Sequence, residues 1–104
     1  MNTLKNYPIN LKEVISAEKI IRLHLKETSL AYYANISELI GAQIYIKHEN
    51  HNTGGSFKIR GGLNAMHHIK NNGINGVITF STGNHGISTA LAAKFNDIKA
   101  TVVV

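Results

Sequence analysis

The chain has 104 residues, no cysteine, one proline and a formal charge of +5. This length suits one small domain or part of a larger one and excludes a complete two-domain enzyme. The absence of cysteine excludes thiolate nucleophiles and Cys-ligated metal centres. No apolar run approaches the ~20 residues that cross a bilayer, and the first residues lack the apolar core of a signal peptide, so we expect a cytoplasmic protein without membrane contact.

The positive charge lies mainly in the second half of the chain. Residues 1–52 carry a net charge of +1 and residues 53–104 a net charge of +4. The basic residues of the second half are spaced out, whereas nucleic-acid binding favours a basic stripe with interleaved aromatic residues. We therefore expect no nucleic-acid partner, and scattered charge of this kind suits a small anionic ligand.

The first part of the chain predicts two helices. Asn10 and Glu13 have the spacing of a capping box, and the apolar residues after them fall largely on one side of a helix that runs to about Lys26. A second, very short helix is indicated between Asn35 and Gly41, because glycine is typical of a helix C-cap.

The remainder of the chain alternates between predicted strands and helices. Residues 43–48 alternate apolar and polar side chains with a period of two, and residues 76–80 and 101–104 are short apolar runs. Helical patterns separate these strands, from Ser56 as the expected cap to about residue 72, and over residues 87–95. The order β-α-β-α-β after an N-terminal helix predicts the α/β class, with an open parallel sheet covered by helices on both faces.

Lys58 lies in the segment TGGSFKIRGG, just after a glycine pair and at the start of a predicted helix. The positive end of the helix dipole opposes protonation of a lysine at this position, which makes a neutral amine or an imine more accessible. Gly54 and Gly55 allow the backbone to press against a flat ligand, and Phe57 offers an apolar surface beside the amine. Taken alone, the segment fits a solvated lysine in a first helical turn more readily than a nucleophile.

Two further glycines, Gly61 and Gly62, lie inside the same helical pattern. Each costs up to ~1 kcal/mol relative to alanine in a helix interior. We therefore expect another part of the protein to approach the backbone closely there.

The segment STGNHG, residues 81–86, directly follows a predicted strand and opens a helix. Peptide N–H groups and hydroxyls at such a position converge where the helix dipole favours an anion, and open α/β sheets bind ligands at the carboxyl ends of their strands. The segment predicts an anion-binding loop, with an ordinary Ser-capped turn as the alternative. It matches neither GxxxxGK[ST] nor GxGxxG, so a nucleotide fingerprint is unsupported.

The spacing of the histidines raises the question of a metal site. His48 and His51 are three residues apart, and His67 and His68 are adjacent. No HExxH is present, and KHENH falls at a strand end with Glu49 as its only nearby carboxylate. We therefore expect surface histidines and no metal.

Two motifs in a fixed order carry a resemblance to a known family. The segment IYIKHENHNTGGSFKIRGG, followed further along the chain by GVITFSTGNHGISTALAAKFNDIKATVVV, resembles the N-terminal portion of pyridoxal-phosphate-dependent threonine/serine dehydratases, which have the tryptophan-synthase-β-like fold (fold type II). The resemblance covers roughly residues 28–104. It implies a single N-terminal portion, residues 1–104, with an N-terminal helical segment over residues 1–30 and the start of the cofactor-binding α/β fold over residues 31–104.

The resemblance also implies roles for individual residues. Lys58 would form the internal aldimine, a Schiff base, with pyridoxal 5'-phosphate and act as the base at the substrate α-carbon. Phe57 would lie beside the cofactor, and Asn84 would hydrogen-bond its ring hydroxyl. The substrate carboxylate would be bound by Ser81, Thr82, Gly83, Asn84 and His85, in agreement with the anion-binding loop.

The implied activity is that of an ammonia-lyase (dehydratase), which converts a β-hydroxy amino acid such as threonine or serine to a 2-oxo acid and ammonia. A serine racemase of the same fold is the first alternative, since Thr82 carries a hydroxyl where racemases have a serine acid/base. Ile59 and His85 disfavour the cysteine-synthase branch. The expected partner is a small-molecule amino acid, in a homo-oligomer when the protein is full length.

Three functional parts of the family lie downstream of the resembling region and are not found in this sequence. They are the glycine-rich loop that holds the cofactor phosphate, the partner of the pyridine nitrogen and the cation-site carboxylates. The strand over residues 101–104 also stops where a loop and helix normally follow. A truncated, non-catalytic fragment that binds cofactor weakly by itself is therefore the second alternative.

Overall fold

The computed structural model describes residues 8–104. The helices and strands in chain order are α1 Leu11–Ile21, β1 Leu30–Tyr32, α2 Ala34–Ile40, β2 Tyr45–Lys47, α3 Lys58–Asn71, β3 Gly76–Phe80, α4 Asn84–Phe95 and β4 Lys99–Val103. A 3₁₀ turn, Glu49–His51, lies between β2 and α3. Among these described elements, no helix has the length and apolar character needed to cross a bilayer. The alternation of helices and strands confirms the predicted α/β class.

Helix α1 begins at the predicted capping box. Asn10 Oδ1 accepts a 3.1 Å hydrogen bond from the Glu13 N–H, and Glu13 Oε2 accepts one of 3.1 Å from the Asn10 N–H. The helix ends at Ile21, earlier than the predicted Lys26. The apolar pattern continues beyond the helix because Leu25, which follows the turn at residues 22–24, is buried in the core.

Helix α2 ends where the sequence predicted. Gly41 has a φ of +74° and forms the left-handed C-cap, a conformation that glycine adopts without a steric cost. The N-cap is Tyr33, which makes no side-chain capping bond.

Strands β1 and β2 form a separate antiparallel pair, in the register Leu30↔Lys47 to Tyr32↔Tyr45. The expectation that the strand at residues 43–48 belongs to the parallel sheet is therefore wrong, and β1 was not predicted. The period-two pattern of residues 43–48 is typical of antiparallel strands with one wet face, whereas buried parallel strands are apolar throughout. Strand β1 has only three residues, too few for a clear periodic pattern.

Strands β3 and β4 form the predicted parallel pair, connected by α4 and in register from Gly76↔Lys99 to Phe80↔Val103. Helix α4 packs on one side of this pair and α3 packs on α4; on that side Val77 is half-buried against the core. On the other face Ile78 and Phe80 are 73% and 74% exposed. Among residues 8–104, the expected helical cover on both faces is thus present on only one.

The core lies between α3, α4 and the segments that follow α1 and α4. Its buried members are Leu25, Ile59, Leu63, Met66, Ala92, Ala93 and Ile98. Alanines on the facing side of α4 allow the two helices to approach closely, because a small side chain keeps the backbones near each other.

The approach between α3 and α4 is closest at Gly62. A Cβ atom on Gly62 would lie 2.6 Å from Ser88 Oγ and 3.1 Å from Ala92 Cβ. At Gly61 no heavy atom lies within 4 Å of that position. The expected close approach is confirmed at Gly62 and wrong at Gly61, because only Gly62 faces α4.

Candidate active site

Lys58 is the first residue of α3, and its side chain is exposed. Its N–H donates a 3.3 Å hydrogen bond to Ser56 Oγ, although the N-cap position belongs to Phe57 rather than to the predicted Ser56. Phe57 is 60% exposed and precedes the helix as its N-cap residue. Its ring centroid lies 5.5 Å from Lys58 Nζ, within reach of a cation–π contact.

The glycine pair before Lys58 has two different environments. Gly54 and Gly55 both adopt left-handed conformations, with φ of +88° and +79°. A Cβ on Gly54 would lie 2.9 Å from Leu91 Cδ1 and 3.3 Å from Ile87 Cγ2, whereas no heavy atom lies within 4 Å of that position on Gly55. The turn therefore rests on α4 through Gly54 and leaves open space at Gly55.

The STGNHG segment lies at the carboxyl end of β3, as predicted. The Ser81 N–H donates a 3.0 Å bond to the Val103 carbonyl, and Ser81 Oγ accepts a 3.2 Å bond from the Gly83 N–H. Gly83 is the N-cap of α4, and Asn84 is its first residue. The helix thus starts three residues before the predicted Ile87, because the second half of the loop is already helical.

The beginning of α4 provides donors for an anion. The N–H groups in the first turn of a helix have no preceding helical carbonyl to bond, and they lie at the positive end of the dipole. Thr82, Gly83, Asn84 and His85 are all exposed there. Anion binding by this loop stays a prediction, which these exposed donors support.

Two contacts fix the loop on the sheet. His85 Nε2 lies 3.0 Å from Thr79 Oγ1, which ties the imidazole to β3. A Cβ on Gly86 would lie 2.9 Å from Val102 Cγ1 and 3.2 Å from the Ser81 carbonyl oxygen. Only glycine allows α4 to begin this close to β4 and to the loop.

Ser88 links the lysine segment to the STGNHG segment. Its hydroxyl donates a 2.7 Å hydrogen bond to the carbonyl of Lys58. Ser88 is 4% exposed and lies one helical turn after Asn84. The two predicted chemical segments are therefore neighbours in space, joined through the backbone of Lys58.

A second group of polar residues, missed in the sequence reasoning, surrounds Glu49. Arg60 Nε lies 2.6 Å from Glu49 Oε2, and Arg60 Nη2 lies 2.9 Å from Oε1. The hydroxyl of Thr28 donates to Oε1, and Asn52 Nδ2 donates to Oε2 at 2.8 Å. The hydrogen bond from Arg60 is the main cause that lowers the pKa of Glu49 from 4.5 to about 2. One feature of the sequence could have indicated this group. Arg60 is a cation in the first turn of a helix, where the dipole disfavours it unless an acidic side chain lies nearby.

The histidines near Glu49 stack and hydrogen-bond with neighbours. The rings of His48 and His51 are stacked with centroids 4.8 Å apart, and His48 Nε2 lies 2.7 Å from the Tyr33 hydroxyl. Within residues 8–104, no group of three or more His, Asp or Glu side chains is placed to hold a metal ion.

The residues present fit part of a pyridoxal phosphate molecule. Lys58 presents an exposed amine beside an aromatic ring, and α4 presents free N–H donors in its first turn. No heavy atom lies within 4 Å of the place where a Cβ would stand on Gly55 or Gly83, so a flat ligand could approach both backbones. The fit concerns the amine and the ring, since the expected phosphate loop is not in this sequence.

Comparison with known proteins gives consistent relatives. The chain is 39% identical over 97 residues to the L-threonine ammonia-lyase of Thermotoga maritima, covering 92% of this chain and 24% of that protein. It is 37% identical over 97 residues to the serine racemase of Dictyostelium discoideum, covering 92% of this chain and 30% of that protein. The solved structure of a pyridoxal 5'-phosphate-dependent aspartate racemase superposes with a TM-score of 0.88 at 32% identity, over 95% of this chain and 32% of that one.

The chain spans about a quarter to a third of the length of these relatives. The family described as "Pyridoxal-phosphate dependent enzyme" matches residues 21–104, which include both chemical segments and the Glu49 group. The chain therefore belongs to the pyridoxal-phosphate-dependent enzymes of fold type II.

Proposed function

We propose that Lys58 is the residue that holds pyridoxal phosphate, and that the complete gene product is an ammonia-lyase acting on a β-hydroxy amino acid such as threonine or serine. The hydrogen bond from Ser88 to the Lys58 carbonyl is the observation that carries the proposal. This bond holds the start of α3, which carries the amine, beside α4, which begins at the anion-binding loop. An enzyme acting on an α-amino acid needs both groups at one place.

Lys58 Nζ is proposed to hold and move the proton of the substrate α-carbon. Its position at the first residue of α3 places the amine at the exposed start of that helix, where a ligand can reach it. Phe57, with its ring 5.5 Å from Nζ, provides an apolar neighbour that would exclude water from one side of the amine. The cofactor supplies an electron sink for the carbanion formed at the α-carbon.

The loop at the start of α4 is proposed to bind the substrate carboxylate. Ser81, Thr82, Gly83, Asn84 and His85 together offer backbone N–H groups and side-chain donors at the positive end of a helix. Asn84 is proposed to reach the ring hydroxyl of the cofactor as well. A fixed carboxylate orients the α-carbon toward Lys58, and loss of the β-hydroxyl as water then leaves an enamine that hydrolyses to the 2-oxo acid and ammonia.

Racemisation is a second candidate function, because two of the three relatives named above are racemases. Thr82 is exposed in the loop, so its hydroxyl is available as the acid/base for the opposite face of the α-carbon. The lyase is preferred because threonine is bulkier than the serine that the resemblance associates with racemases at this position.

Chemical trapping tests the assignment of Lys58. The complete gene product is incubated with pyridoxal phosphate, reduced with borohydride and digested with trypsin, and the modified peptide is located by mass spectrometry. We expect the phosphopyridoxyl group on Lys58, and on Lys58 still in a control variant, Lys70→Ala, which removes an exposed lysine of the same helix. Label on Lys47, Lys70 or Lys94 instead would refute the assignment.

A further inference from the structure

The carboxylate of Glu49 makes more polar contacts than a surface ion pair would. Its two oxygens accept hydrogen bonds from Arg60, from the buried hydroxyl of Thr28 and from the buried amide of Asn52. The side chains of Arg60 and Glu49 are only 26% and 20% exposed. A bidentate pair with this many additional partners has one geometry, unlike an exposed pair of long side chains.

These contacts reach the chain on both sides of Lys58. On the C-terminal side, Arg60 lies two residues after Lys58 and bonds Glu49 directly. On the N-terminal side, Asn52 Nδ2 bonds both Glu49 Oε2 and, at 3.4 Å, the carbonyl of Ser56, whose hydroxyl accepts from the Lys58 N–H. One carboxylate thus fixes the backbone immediately before and immediately after the lysine.

The start of α3 needs external contacts to keep a single conformation. Arg60 lies in the first turn of α3, where the helix dipole disfavours a cation, and the adjacent turn contains two glycines in left-handed conformations. Glycine backbones have more freedom than others, so the segment before Lys58 needs external contacts to keep one conformation. A reactive amine misplaced by about 1 Å loses a large part of its rate.

We propose that Glu49 is a positioning residue for Lys58, holding the start of α3 through Arg60 on one side and through Asn52 and Ser56 on the other. The inference rests on the proposed role of Lys58 as the cofactor-bearing lysine. Glu49 itself does not touch substrate or cofactor in this arrangement. Glu49 acts by fixing the position of the Lys58 amine.

The test compares Glu49→Gln, which keeps the shape of the side chain and removes its charge, with Glu18→Gln, which breaks the exposed Arg22–Glu18 pair of 3.3 Å on α1. Hydrogen exchange of the backbone amides of residues 56–62 is measured on the cofactor-free complete gene product. For Glu49→Gln we expect exchange about tenfold faster in this segment, while β3 and β4 keep their protection. For Glu18→Gln we expect no change in the same segment.

A second readout is the trapping of pyridoxal phosphate by borohydride. We expect Glu49→Gln to weaken cofactor binding about tenfold and to lower the fraction of Lys58 that is labelled. Arg60→Lys keeps the charge but not the two-point contact. Its cofactor binding and its labelled fraction of Lys58 should lie between those of Glu49→Gln and those of the unsubstituted protein. This variant also serves as the test if Glu49→Gln does not fold.

The outcomes separate the inference from the proposed function. Exchange that is unchanged in residues 56–62, or faster to the same degree throughout the protein, overturns the positioning role. Label on Lys58 to the same extent in Glu49→Gln and the unsubstituted protein also overturns it. Label on another lysine in the unsubstituted protein refutes the proposed function instead, and leaves the exchange result as a separate measurement of the segment.

Discussion

The hydroxyl of Ser88 donates a 2.7 Å hydrogen bond to the carbonyl of Lys58, across the interface between α3 and α4. Both residues belong to helices that begin at a candidate site segment. Ser88 is buried, so its hydroxyl has little water to replace this partner. The bond therefore joins the packing of the core to the position of the lysine.

Replacement of Ser88 by alanine tests this connection. We expect the free energy of unfolding to fall by about 0.5–1.5 kcal/mol, because one buried hydrogen bond is lost and little volume is removed. Urea unfolding of the complete gene product measures the effect. Ser16→Ala, at an exposed serine of α1, is the control and should change stability by less than about 0.5 kcal/mol. An equal effect of the two substitutions would contradict the structural role of Ser88.

We predict that alanine substitutions at the neighbouring glycines Gly61 and Gly62 have opposite effects on stability. Gly61→Ala places a methyl group in open space on a helix and should stabilise the protein by up to ~1 kcal/mol. Gly62→Ala places it 2.6 Å from Ser88 Oγ and 3.1 Å from Ala92 Cβ, which should separate α3 from α4 and cost about 1–3 kcal/mol. Thermal unfolding of both variants measures the difference. If Gly62→Ala is as stable as Gly61→Ala, the close contact of α3 with α4 at Gly62 is contradicted.

The Glu49 group predicts a pH dependence of stability. Its pKa is lowered from 4.5 to about 2 by the hydrogen bonds from Arg60, Thr28 and Asn52, with Arg60 as the largest cause, against a rise from partial burial. A lowered carboxyl pKa contributes stability that is complete above pH 4.5 and lost as the pH falls from 4.5 to about 2. This contribution to the free energy of unfolding is ~2 kcal/mol. It is smaller than the full energy equivalent of the pKa shift, because partial exposure to solvent screens the interaction.

Unfolding of the unsubstituted protein and of Glu49→Gln between pH 7 and pH 3 measures this contribution. We expect the difference in unfolding free energy to be largest at neutral pH and to narrow steadily below pH 4.5. Glu18→Gln, in an exposed pair, should give a small difference at every pH. A difference for Glu49→Gln that does not depend on pH would show that the carboxylate charge is not what stabilises this region.

Thr82 distinguishes the two candidate reactions. If its hydroxyl only helps to orient the substrate carboxylate, Thr82→Ala should lower kcat/KM for release of 2-oxo acid by about two- to a hundredfold, the value of one hydrogen bond. If it is the second acid/base of a racemase, formation of the D-amino acid should collapse while elimination survives. Paired assays of the complete gene product with serine and threonine measure both products.

Two results of that experiment would change the assignment. Racemisation that is detectable in the unsubstituted protein and abolished in Thr82→Ala would rank the racemase above the lyase. Unchanged rates in both assays would remove Thr82 from the site. Thr101→Ala, at an exposed threonine of β4, controls for a general effect of threonine removal.

The parts of the fold that sequence reasoning predicted are those set by short-range rules. The Asn10–Glu13 capping box and the Gly41 C-cap depend on residues within one helical turn. The β3-α4-β4 unit follows from two apolar runs separated by a helical pattern. Each of these features appears in the structure near its predicted place.

The parts that were missed depend on contacts between distant residues. The pairing of β2 with β1 and the bond from Arg60 to Glu49 join segments whose individual patterns leave the partner undefined. Gly61 and Gly62 are identical in sequence terms, and only the position of α4 makes one of them a close contact. For the candidate site, the sequence indicated the segments of Lys58 and Asn84, but not the role of Ser88, whose hydroxyl bonds the Lys58 carbonyl.

The exposed face of β3 has a consequence for the loop that follows it. Phe80 is 74% exposed on that face, and the next residue, Ser81, opens the anion-binding loop. An apolar side chain of this size is stabilised when another surface covers it. A surface that packs on Phe80 therefore lies one residue from the start of the anion-binding loop, so the cover of this sheet face and the approach to the loop are set at the same place.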